Sequence, residues 1–102
     1  MLIITGTIKV DSEEELTRVK DALMRRAQRS RADEGNIDYV FSQNLEDPTE
    51  IRLTEKWGSE ATLTAHLQIP DDEFAEFIGS AKIESAVVTS NEVIKERELL
   101  NR

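Results

Sequence analysis

Hydrophobic residues recur at two different periods along this chain, and the switches between them divide it into elements. From Leu2 to Val10 the run LIITGTIKV is rich in β-branched residues and predicts a first strand. DSEEE then reads as a helix start. Ser12 with Glu15 three residues on has the pattern of a capping box, and Leu16, Val19, Leu23 and Ala27 follow at helical spacing. Glu13, Glu14 and Glu15 suit the positive end of that helix, and Arg25, Arg26 and Arg29 suit its negative end. After ADEGN, Ile37, Tyr39 and Phe41 alternate with Asp38 and Ser42, which predicts a second strand. EDPTE turns the chain, and Ile51, Leu53, Glu55 and Trp57 then share one face of a third strand, so the pair predicts an antiparallel hairpin. A short helix from Ser59 to about Leu67 is expected to end before Pro70. Another turn or two from Asp71 carries Phe74, Phe77 and Ile78 at helical spacing, with Gly79 as its stop, and KIESAVVTSNEVIKE predicts a long last strand.

The order is β-α-β-β-α-β, the ferredoxin-like arrangement of the α+β class, in which helices cover one face of a four-stranded antiparallel sheet. The sequence has no linker, repeat or low-complexity tract, so residues 1–102 read as a single domain. Ile4, Ile8, Val10, Val40 and Val87 suggest that neither face of the sheet is fully polar, and a bare apolar face marks an interface. A homodimer with sheets packed face to face is therefore expected, its last strands reaching across to the partner.

Composition narrows the function. With 13 Lys+Arg against 21 Asp+Glu, the net charge of −8 repels phosphate backbones and anionic lipid, which argues against nucleic acid and membrane as partners. The absence of cysteine excludes a disulfide framework and a thiolate nucleophile, and a single histidine argues against a zinc or non-haem iron site, so no metal is expected. The four glycines are isolated, which excludes a glycine-rich phosphate loop. MLIITGTIKV lacks the basic start and long apolar run of a signal peptide, so a cytoplasmic location is expected.

The run EGNIDYVFSQNLEDPTEIRLTEKWGSEATLTAHLQIPDDEFAEF resembles the antibiotic-biosynthesis monooxygenase (ABM) family of dimeric α+β barrels. The matching features are Glu34-Gly35 opening strand two, Tyr39 within it, Glu55-Lys56-Trp57 ending strand three, His66 closing the next helix, and Phe74-Ala75-Glu76-Phe77 in the helix after that. The family and its close relatives include cofactor-independent quinol and anthrone monooxygenases, haem-degrading enzymes and a sugar-phosphate isomerase. The haem-degrading branch carries an Asn on strand one, where LIITGTIKV has none. It has a helical Trp where this chain has His66, and its ligating His falls near Glu76. The resemblance therefore points away from haem. The anthrone-oxidising branch has an Asn four residues before the Trp, where Leu53 stands here.

His66 lies at the flank of its helix's apolar stripe, where an imidazole that titrates near neutrality suits a general base; the ordinary alternative is a histidine bonded to backbone. Glu55 is the sharper anomaly, because alternation places a carboxylate between Leu53 and Trp57 on an apolar face. It must be paired, hydrogen-bonded or protonated there, with Arg26 as one structural partner and proton transfer as the catalytic alternative. Trp57, Tyr39, Phe74 and Phe77 have the pattern of ordinary core residues, and the alternative is that they also wall a substrate pocket. RRAQRSR is a solvated helix end, or a lure for an anionic substrate. The resemblance implies a cofactor-independent monooxygenase acting on a quinol or other electron-rich hydroxyaromatic with O2. The catalytic pair would be His66 and Glu55, the substrate-binding set Trp57, Tyr39, Phe74 and Phe77. The alternatives are a non-catalytic small-molecule-binding homodimer and a proton-transfer isomerase on the same scaffold.

Overall fold

The computed structural model describes residues 1–102. Its elements are β1 (Leu2–Val10), α1 (Glu13–Ser30), β2 (Asn36–Gln43), β3 (Glu50–Trp57), α2 (Glu60–Leu67), α3 (Asp72–Ser80) and β4 (Ile83–Glu92). The strands form one four-stranded sheet in the order β2-β3-β1-β4, every neighbouring pair antiparallel. This is the ferredoxin-like α+β fold, with the second helical segment divided in two around Pro70.

Helix starts follow local chemistry. Ser12 caps α1 by accepting the Glu15 N–H at 3.1 Å. The Glu15 carboxylate does not reach back to complete a box. It accepts from Arg18 at 2.6 and 3.0 Å and from the Lys82 N–H at 2.7 Å. The Arg18 bond first, and the Lys82 amide second, hold its carboxyl down at about 2. Ser59 and Thr62 form the full capping box, at α2, and Asp71 caps α3 through the Phe74 N–H.

Apolar residues of β1 and β3 meet α1 and α3 in two clusters. One holds Ile8, Val10, Val19, Leu23, Ile51 and Phe77. The other holds Ile4, Ala27, Tyr39, Leu53 and Trp57. Ile4, Ile8 and Val10 thus lie buried beneath the helices and not on the bare face, which corrects their expected place. β1 is apolar on both sides at Leu2, Ile3 and Ile4, so alternation leaves its phase open. Pairing with β3 settles it, setting Ile8 beside Ile51 and Ile4 beside Glu55. The uncovered face instead carries Thr5, Thr7, Thr54 and Thr89 with Val40 and Val87.

Two further expectations change. Ile37 does not share the inward face with Tyr39 and Phe41. The register slips between Asn36 and Asp38, leaving Ile37 as the extra residue of a bulge, 58% exposed. RRAQRSR is neither a free cationic patch nor a merely solvated end. Arg25 holds Glu73 through two bonds of 2.7 and 2.6 Å, Arg29 meets Asp71 at 3.4 Å, and Arg31 donates to the Tyr39 carbonyl at 2.7 Å. These arginines tie α1 to α3 and β2.

Candidate functional site

The second core cluster contains polar groups that a hydrophobic interior excludes unless they are paired. Alternation along β3 turns Leu53, Glu55 and Trp57 to one side, and all three are buried. Glu55 is satisfied by its near neighbour, since the Trp57 indole Nε1–H donates to Glu55 Oε1 at 2.8 Å. Burial pushes the Glu55 carboxyl up from its usual range, against the pull of Trp57, His66 and Arg26. Burial also raises the Tyr39 hydroxyl, helped by the negative charge of Glu55.

α2 brings His66 onto this cluster. The imidazole is 2% exposed and is the one buried side chain of its helix. Its ring centroid lies 4.6 Å from that of Trp57 and 5.8 Å from that of Tyr39. Nδ1 sits 2.6 Å from Asp33 Oδ2, and Nε2 sits 3.1 Å from Arg26 Nη2. The partners fix the protons. A guanidinium only donates, so Nε2 accepts, and the imidazole is the neutral tautomer that donates its Nδ1–H to Asp33. Arg26 in turn reaches Asp71 Oδ2 at 3.3 Å and lies 4.6 Å over the Phe74 ring. Burial opposes ionisation of Asp71, but the Phe74 amide and the two arginines outweigh it and leave that carboxyl lowered.

The arrangement is an Asp–His pair whose second nitrogen is covered by a buried arginine, walled by Trp57 and Tyr39. Uncovered, Nε2 has a lone pair able to accept a proton, in a tautomer that Asp33 already fixes. His66 also lines an open cleft of about 450 Å³, with Asp33, Glu34, Ala61, Ala65 and Ile69.

The sequence model of the antibiotic biosynthesis monooxygenase family matches residues 1–78, three-quarters of the chain and every element up to α3. The chain belongs to this family. Among solved structures, a candidate antibiotic biosynthesis monooxygenase from Deinococcus radiodurans superposes with a TM-score of 0.87 at 22% identity, covering 99% of this chain and 100% of its own. One from Nitrosomonas europaea gives 0.82 at 17% identity, covering 93% and 100%. A Bacteroides thetaiotaomicron protein of unknown function gives 0.75 at 19%, covering 90% and 96%. At these identities the likeness shows the fold. No curated protein matches the chain.

The antibiotic biosynthesis monooxygenase motif acquires physical meaning here. Gly35 takes φ +80, its carbonyl accepts the Gly58 N–H at 2.8 Å, and its Cα lies where any Cβ would strike Thr62. It lets α2 come close enough for His66 to reach Asp33. Of the residues singled out in the sequence, His66, Glu55, Trp57 and Tyr39 converge. They are packed against one another, with Trp57 0% exposed, and of the four His66 borders the open cleft. Phe74 joins from the side through Arg26, whereas Phe77 belongs to the other cluster, 5.7 Å behind Phe74. Asp33 carries no assignment in the sequence, Asp71 only that of a helix start, and Arg26 those of a helix-end charge and a partner for Glu55. Arg26 had a signal: it shares helical spacing with Val19, Leu23 and Ser30, all buried.

Proposed function

We propose that the protein is a cytoplasmic, homodimeric monooxygenase that oxidises a quinol or other electron-rich hydroxyaromatic with O2 and without metal or flavin. The observation that carries this reading is the Asp33–His66 pair, a neutral imidazole held in one tautomer against the faces of Trp57 and Tyr39. Family membership supports the reaction class.

The chemistry asks for few protein groups. His66 Nε2 takes the hydroxyl proton, because the resulting aromatic anion gives an electron to O2 far more readily than its neutral form. Recombination at a ring CH2 or its tautomer forms a hydroperoxide. Loss of water from it leaves a ring carbonyl, so one oxygen stays in the product and the other leaves as water, all electrons coming from the substrate. A site closed to water protects the radical pair. Glu55 is the second proton-handling group, and Trp57, Tyr39 and Phe74 are the aromatic walls, with Phe77 supporting Phe74.

Oxygen uptake by metal-stripped protein, with menadiol and an anthrone as substrates, tests this reading. Wild type is expected to exceed autoxidation, and His66→Ala to lose that excess by about 10²–10⁴-fold. Unchanged uptake by His66→Ala rejects the base assignment. A second reading, a binding homodimer without turnover, is favoured by Arg26 covering Nε2. It gains if no substrate raises uptake above background.

The dimer places the uncovered sheet faces together. Its support is the exposed Val40 and Val87 on that face and the tail beyond β4, where Ile94, Leu99 and Leu100 are exposed while Glu96 pairs with Lys56 at 3.4 Å. Sedimentation equilibrium is expected to give twice the chain mass at micromolar concentration, and a stable monomer there would sink it.

A further inference from the structure

Arg26 holds more hydrogen-bond donors than the protein uses. A guanidinium carries five N–H groups. One of Arg26's goes to His66 Nε2 at 3.1 Å and one to Asp71 Oδ2 at 3.3 Å, while the buried Nε–H meets no acceptor. The residue is 9% exposed, so that N–H is withdrawn from bulk water. A buried cation with idle donors leaves the site short of an acceptor.

The tautomer sharpens this. Once Nε2 takes up a proton it has no lone pair, and the Arg26 N–H that now points at it becomes a second donor facing a donor. Base action by His66 and the Arg26–His66 bond therefore exclude each other. We infer that Arg26 is the oxyanion-binding residue of this site and a removable cap on its base, taking over the oxygen of a hydroxyaromatic ligand as that oxygen displaces it from His66. The inference rests on the hydroxyaromatic reading above and assigns the group that receives the charge.

The proton step balances. The ligand O–H bond breaks and an Nε2–H bond forms. The imidazolium is held by Asp33 and the oxyanion by the freed guanidinium, so the net charge of the site is unchanged. An oxygen bonded to both sides at about 2.8 Å widens the present 3.1 Å gap by roughly 2 Å. The Arg26 side chain supplies that movement, so Asp33 keeps its hold on Nδ1, and His66 borders the cleft of about 450 Å³. That cleft is lined by His66 and Asp33 and not by Arg26, so a hydroxyaromatic oxygen reaches Nε2 only as His66 and Arg26 part.

The probe is 2-hydroxy-1,4-naphthoquinone, an oxidised anion at neutral pH that binds without turnover, compared with uncharged 1,4-naphthoquinone. Because His66 is the sole histidine, ¹⁵N-edited NMR reads its ring nitrogens without overlap. Having no proton to give, the anion is expected to bind wild type with a proton taken up by Nε2 from solvent, which moves that resonance as Arg26 leaves, and to bind Arg26→Gln about 10–100-fold more weakly. The neutral quinone should bind both proteins alike. Arg26→Lys, which keeps the charge, should fall between them and covers the case in which the glutamine variant does not fold. Equal anion affinity in wild type and the Arg26 variants, an unmoved Nε2 signal at saturation, or no anion binding to wild type each overturns the cap. Those results leave the monooxygenase reading to the oxygen-uptake assay. Arg26-dependent binding without uptake rejects monooxygenation and keeps the oxyanion site.

Discussion

Trp57→Ala is expected to cost about 3–5 kcal/mol, a large part of a total stability of order 5–15 kcal/mol. Two losses combine. The indole is fully buried against Ile4, Ala27, Tyr39 and Leu53, so its removal leaves a cavity in the second cluster. It also removes the hydrogen bond to Glu55 Oε1 and leaves a buried carboxylate without a donor. Trp57→Phe separates the two, because it keeps most of the volume and deletes only the donor; about 1–3 kcal/mol is expected. Adding Glu55→Met to that variant should recover much of the loss, since no charge then remains to be satisfied. Urea melts followed by far-UV circular dichroism measure all three. A Trp57→Ala loss below about 1 kcal/mol means that the cluster collapses around the gap and that the Trp57–Glu55 bond contributes little.

Gly35→Ala is the second large effect, at about 2–4 kcal/mol. The backbone at φ +80 is left-handed, which costs an L side chain roughly 1–2 kcal/mol. The new methyl group would also lie inside the contact distance of Thr62, so α2 must move outward. His66 moves with it and leaves Asp33. The expected signature is joint: lower stability in the same melts, together with a changed Nδ1 resonance for the single histidine. A variant within about 0.5 kcal/mol of wild type, with His66 unperturbed, shows that Gly35 does not position the helix.

What the sequence disclosed and what it withheld follow the same physical line. The β2–β3 hairpin and the inward set Ile51, Leu53, Glu55 and Trp57 were legible because one face is buried and the other wet, so alternation carries the phase. β1 carried no such phase, and its inward residues were credited to the bare face. Ile37 was misplaced because a bulge adds one residue without any marker in composition. The convergence of His66 with Trp57 was legible because α2 follows β3 directly and ends against it. Asp33 was not, since it sits in the turn after α1 where no period applies, and only the closed fold brings it to within 2.6 Å of His66. The capping box was assigned to α1 and is complete at α2, because Glu15 finds stronger partners in Arg18 and the Lys82 amide than in its own cap.

The last strand bears on how the protein behaves in bulk. β4 pairs only with β1, and along its ten residues the outer row of backbone N–H and C=O groups faces solvent, with Val87 and Val88 more than half exposed. Such a margin is a template onto which any extended chain can grow, including β4 of a neighbouring molecule. Mutual repulsion between chains of net charge −8 keeps that growth slow at neutral pH. Colloidal stability is thus set less by the well-packed core than by charge spread over a surface remote from it. Acidification towards the isoelectric point near 4.6 removes that kinetic barrier.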